Sequence, residues 1–177
     1  IGRDDRETVQ RAVHTSVLTA IIGGFLVMIP GEIFAVQILS AMSIPEYVLP
    51  YAVLYLRIYL LGLPVILLYN FLSAVFRSVG DTKTPLIVLA LSGCLNVLLN
   101  LFFVIVLKMT VNGVAIATVI SNAISSIVLV IVLMKSDKYI KLSLRELRIY
   151  KRVLGQILEI GLPAGIQSAV FAISNII

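Results

Sequence analysis

Long uncharged apolar runs dominate this chain and leave it one kind of fold. Residues 12–31, between Arg11 and Glu32, carry no charge over 20 positions; 84–107 carry none over 24, and 109–134 none over 26. A helix needs about 20 such residues to cross the hydrocarbon core of a bilayer. Residues 47–76 make a further run, broken only by Arg57, and another opens near Gly161. Inside lipid an unpaired peptide group finds no water to bond, so each run has to be helical. The expectation is an all-α polytopic membrane protein, a helix bundle with spans at about 12–38, 47–76, 84–107 and 111–134. The chain opens on Ile1, and after Glu159 it ends within an apolar run. That predicts a piece cut at both ends, with residues 160–177 the start of a truncated span.

Composition agrees. The chain is 60% apolar and 13% charged, against about 45–50% and about 25% in soluble domains. A soluble enzyme, a disordered segment and a nucleic-acid binder are all excluded on this balance. One cysteine, Cys94, and one histidine, His14, leave no disulfide framework, zinc cluster or Cys-His nucleophile pair. No Walker motif, acidic pair, Ser-His-Asp set or HExxH occurs, so no enzyme activity, cofactor or metal site is expected. His14 reads as a helix-end residue, and Cys94, beside Gly93, as a small packing residue.

The net charge of +5 describes topology. Twelve of the fourteen Lys and Arg lie in the N-terminal segment, in 77–83 and in 135–159; the outer turns hold only Lys108, and Arg57 lies within a span. By the positive-inside rule the three basic segments face the cytoplasm, while residues 40–46 of the connector 30–46, which has no Lys or Arg, and the turn 108–112 face out. In the connector 135–159, Ser143 and Glu146 have the spacing of a capping box. Leu144, Leu147, Leu154, Ile157 and Leu158 fall near one stripe. This predicts an interfacial amphipathic helix on the cytoplasmic leaflet; a solvated linker is the alternative.

Polar residues within spans need partners. Arg57, flanked by Tyr51, Tyr55 and Tyr59 at helical spacing, either lines a cavity or snorkels to headgroups or a partner helix. Arg57, Tyr59 and Asn70 are the cavity-lining candidates. Pro64 should kink its span. Asn96 and Asn100 project from one helix face, and Thr118 lies at similar depth on the next span, seven residues after Val111 as Asn100 lies seven before Leu107. The cluster is either a substrate or ion site or glue between helices. Ala115, Ala117, Ser121 and Ser125 suit close helix contact in both cases.

Several blocks resemble one family. Arg77-Ser-Val-Gly-Asp-Thr-Lys-Thr-Pro85, Asn96-Val-Leu-Leu-Asn100 and Gly113-Val-Ala-Ile-Ala-Thr118, with YLRIYLLGLP at 55–64 and IGLPAG at 160–165, closely resemble the multidrug and toxic compound extrusion (MATE) transporters. The resemblance implies part of a twelve-helix, two-lobed carrier. Residues 1–134 would belong to the N-lobe, 135–159 to the inter-lobe connector and 160–177 to the C-lobe. It further implies a plasma-membrane antiporter that exports small organic, often cationic, compounds against H⁺ or Na⁺ by alternating access. Its partners would be the lipid bilayer, those substrates and the remainder of the same polypeptide. Asn96, Asn100 and Thr118 match the family's N-lobe cation or proton site, with Asn100 standing where relatives have an acid. Arg77, Gly80, Asp81, Lys83 and Pro85, together with Pro64, read as structural or gate elements, with Asp81 and Lys83 capping the turn. A lipid-linked oligosaccharide flippase of the same superfamily is the alternative, as is a non-transporting membrane module. The flippase would need a strongly cationic cavity, for which only Arg57 is present.

Overall fold

The computed structural model describes residues 3–42, 44–136, 140–143 and 147–174. Among the described residues six α-helices follow one another: α1 (Arg3–Ala41), α2 (Leu49–Leu61), α3 (Leu63–Ser78), α4 (Lys83–Leu101), α5 (Val111–Lys135) and α6 (Lys151–Ser174). A π-helical turn, Phe102–Val106, extends α4. No strand occurs among the described residues. Four helices are long and apolar enough to cross a membrane, and the pair α2–α3 passes together as one broken span bent by 50°.

The break in that pair comes from sequence chemistry. Pro64, the second residue of α3, has no N–H to give to the turn before it. Gly62 closes α2 at the break. It is bare for a second reason: a Cβ there would lie 2.4 Å from Val119 Cγ2 of α5. On the other side Pro64 presses on Gly24 of α1, where a Cβ would stand 2.4 Å from Pro64 Cα. The bend is thus gripped between α1 and α5.

Two boundaries differ from the sequence expectation. Helix α1 does not end near residue 31 or 38; it runs through Pro30 and Glu32 to Ala41. Most of the expected connector 30–46 is therefore helix. At about 1.5 Å per residue α1 is roughly 58 Å long, nearly twice an about 30 Å hydrocarbon core. The apolar residues Ile33, Phe34, Val36 and Ile38 continue past the charge, and a single glutamate does not stop a helix whose next two turns remain apolar. The second difference lies in 135–159. Residues 141–143 and 147–150 are not helical, and the helix starts at Lys151 and is continuous with the last apolar run. Leu154, Ile157 and Leu158 belong to its first turns; Leu144 and Glu146 lie outside the described residues.

The connector has other bonding partners, which is why residues 141–143 and 147–150 do not take up the expected interfacial helix. Leu142 N–H donates to Leu133 O at 3.3 Å. Ser143 N–H donates to His14 Nε2 at 3.1 Å, and Tyr150 N–H to Thr15 Oγ1 at 3.2 Å. Peptide groups satisfied by a neighbouring element do not need a helix of their own. Ile140 and Leu142 enter the core alongside Val13 and Val17 of α1, Leu72 and Phe76 of α3, Val88 of α4 and Leu129 and Leu133 of α5. This core gathers α1's start, the α3–α4 turn and the connector at one end of the bundle, so the described basic segments share an end. His14 is correspondingly only 2% exposed, a buried anchor and not a free helix end. Cys94 is exposed and Gly93 has open space beside it, so neither is a packing residue here.

Candidate functional site

Helices α4 and α5 form an antiparallel hairpin that brings the polar residues of both spans together. Asn100 Nδ2 donates to Asn96 Oδ1 at 2.9 Å. Asn96 Nδ2 in turn reaches Thr118 Oγ1 at 3.4 Å and Ser121 Oγ at 3.2 Å. Thr118 Oγ1 donates to Val114 O at 3.0 Å, and Ser92 Oγ donates to Ser121 O at 3.2 Å. The chain of donors runs from Asn100 inward to α5 and leaves one group over. Asn100 Oδ1 is buried and has no hydrogen-bond partner among the described residues. An acceptor left this way in a low-dielectric setting is costly, and chemically it suits a cation or a proton donor.

The register differs by one turn from the expected one. Asn96, and not Asn100, meets Thr118. The π turn that follows winds more residues into each turn, which draws Asn100 toward the outer loop and leaves Asn96 level with Thr118. That turn ends in the loop where Lys108 takes φ 51°. Ser121 was read from sequence as a contact residue; its hydroxyl also holds the Asn96 amide. Ala115, Ala117, Ser121 and Ser125 are all buried on α5, which lets the helices approach closely.

Arg57 points to a partner helix. Its Nε lies 3.8 Å from Glu32 Oε2 of α1, the two side chains 49% and 26% exposed. Sequence reading missed this pair because Glu32 was read only as the end of the uncharged run 12–31 and given no partner. Glu32 Oε1 is buried and without a hydrogen-bond partner among the described residues. Arg57 also borders an open groove of about 550 Å³ with Val36, Pro50, Val53 and Leu54. A cation already beside a carboxylate is a poor start for the strongly cationic cavity that a pyrophosphate carrier needs. Tyr59 is half-buried and stacks on Tyr55, ring centroids 6.3 Å apart. Asn70 is exposed and its amide donates back to Ile66 O at 2.9 Å. Neither has a hydrogen bond to the Asn96 cluster.

The turn between α3 and α4 is built from Arg77 to Pro85. Gly80, at φ 81°, occupies the left-handed position that ends a helix in a Schellman motif. Its N–H donates to Arg77 O and that of Asp81 to Phe76 O, both at 3.0 Å. Asp81 then opens α4, accepting from Thr84 N–H at 3.0 Å and Thr84 Oγ1 at 2.9 Å. Lys83 takes no share in the capping; it is an exposed first residue of α4, while Pro85 is buried in the first turn. Arg77 is exposed on the last turn of α3.

Known proteins match this chain along its length. The MatE family model matches residues 1–102. The probable multidrug resistance protein YoeA of Bacillus subtilis (strain 168) is 30% identical over 182 residues, covering 99% of this chain and 39% of that protein. An outward-facing structure of a multidrug resistance MATE family transporter of the MOP superfamily superposes with a TM-score of 0.87 at 25% identity, over 96% of this chain and 38% of its own. An inward-facing structure of such a transporter gives 0.80 at 26% identity, over 91% and 37%. The chain spans about two fifths of the length of the curated relatives it matches.

Proposed function

Because the chain belongs to the MatE family, whose model matches residues 1–102 of its 177, we propose that it forms part of a secondary active multidrug efflux antiporter. The complete carrier exports organic, often cationic, compounds in exchange for H⁺ or Na⁺ across the plasma membrane. Its basic end faces the cytoplasm, and the process makes and breaks no covalent bond. The relatives' names support multidrug efflux, and alternating access is supported by the superposition of this fold on one carrier described as outward-facing and one as inward-facing. A lobe that keeps its shape in both states suits a mechanism of rocking rigid halves.

The observation that carries the reading is the buried Asn100 Oδ1, unpartnered among the described residues, at the end of the Asn96–Thr118–Ser121 cluster. An amide does not titrate, so its part is to accept from a protonated group or to ligate Na⁺ through oxygen, a hard ligand for a hard cation. The remainder of the polypeptide supplies the titrating charge. The test is drug-stimulated H⁺ or Na⁺ flux in liposomes holding the complete polypeptide. Asn100→Ala should abolish the flux or uncouple it. Interhelical polar contacts average about 0.6 kcal/mol, so the melting temperature should stay near wild type. Unchanged flux, or flux lost only in proportion to lost protein, would make the cluster helix glue. Absence of drug-stimulated flux of either ion would overturn antiport.

A further inference from the structure

The connector does more than join two spans: where it docks on α1 it helps to line two open cavities at the basic end of the bundle. One, of about 510 Å³, is bordered by Glu7, Arg11, His14, Arg148 and Tyr150. The other, of about 480 Å³, is bordered by Arg11, Tyr150, Lys151, Arg152 and Val153. They share a wall, the Arg11 guanidinium lying 5.3 Å from the centre of the Tyr150 ring. That wall is held from both sides. Arg11 bonds Glu7 one turn earlier, and the Tyr150 peptide is tied to Thr15 Oγ1. Arg148, Lys151 and Arg152 stand exposed around it. Four cations from three successive parts of the fold thus meet one described carboxylate, Glu7, which Arg11 already occupies.

We propose that these cavities bind the phosphate of an anionic phospholipid headgroup from the cytoplasmic leaflet. Guanidinium groups match phosphate oxygens in forked geometry, and basic pockets at the cytoplasmic ends of spans are suited to anionic headgroups. Lipid is favoured over a soluble phosphate by position. The second cavity reaches Val153 at the start of α6, which leads directly into a helix whose Leu158, Ile160 and Leu162 are exposed and apolar. Cations at the interface with apolar surface just below fit an amphiphile. Because α1, the connector and α6 all contribute cations, the bound headgroup ties the connector to α1 where the next span begins.

The test is native mass spectrometry of the complete polypeptide in detergent, offered equal phosphatidylglycerol and phosphatidylcholine. Wild type should retain phosphatidylglycerol preferentially, and the double variant Arg148→Gln/Arg152→Gln should lose it by about fivefold per charge removed while keeping phosphatidylcholine unchanged. The variant Lys135→Gln/Lys141→Gln removes as much charge from the same connector outside both cavities and should retain the adduct. Equal loss in the two double variants would reduce the effect to surface charge and overturn the site. Equal binding of the two lipids by wild type would do the same. Displacement of phosphatidylglycerol by millimolar inorganic phosphate would reassign the cavities to a soluble ligand. Unchanged melting temperatures in both double variants show that any loss is not unfolding.

Discussion

Asp81 ends one helix and starts the next. Its peptide N–H closes the Schellman motif on Phe76 O, and its carboxylate holds the first turn of α4 through Thr84. Replacing an N-terminal cap by alanine costs about 1 kcal/mol. Asp81→Ala should therefore lower the melting temperature of the complete polypeptide by a few degrees, with Asp81→Asn recovering most of it because the amide oxygen still accepts. A thermal melt of Asp81→Ala that matches wild type would show the cap to be idle. This turn was legible from the residues between Arg77 and Pro85, except that Lys83 was given a share of the capping. An ammonium has three donors and no acceptor, so it has nothing to offer the free N–H groups of a helix start. Legibility was partial at the polar cluster as well. Spacing placed Asn96 and Asn100 on one face, but which of them meets Thr118 depends on the winding of Phe102–Val106, and five apolar residues do not announce a π turn. His14 and Thr15 had no signal at all, since their partners are peptide N–H groups 129 and 135 positions away.

At the level of elements, the bend between α2 and α3 is the feature with the tightest packing. Gly62 faces Val119 so closely that Gly62→Ala would drive a methyl into a β-branched side chain with no long rotamer to swing aside. Overpacking of this kind costs about 1–3 kcal/mol. The variant should melt several degrees lower, and Val119→Ala added to it should restore most of the loss, because the second change removes the colliding methyls. Additive destabilisation by the two substitutions would mean that the contact is not what keeps position 62 bare. The kink itself was readable, since Gly62 and Pro64 both punctuate a helix. Helix α1 was misjudged because a connector was opened at residue 30, where the uncharged run ends, although the helix continues to Ala41. Glu32 lies within the helix and has Arg57 beside it, so a charge inside a helix can mark a partner as easily as an edge.

For the molecule as a whole, the described basic residues at the start of α1, at the α3–α4 turn and in the connector share one end of the bundle, while Lys108 lies on the loop after α4. With Cys94→Ser as background, an impermeant thiol reagent applied to intact cells should label Thr110→Cys and leave Lys141→Cys untouched. Labelling of position 141 from outside would reverse the orientation. The order of spans was legible because lipid permits so few alternatives. The seating of the connector was not, because Ile140 and Leu142 sit among lysines and gave no run long enough to signal a core. That seating has a mechanical meaning. Tyr150 is tied to α1 one residue before α6 begins, so the helix of 24 residues, roughly 36 Å long, is fixed at its foot. A swing of about 10° about this fulcrum carries its far tip about 6 Å at that length, so a slight tilt where the connector meets α1 becomes, at the opposite end of α6, a displacement wider than one helical turn is tall.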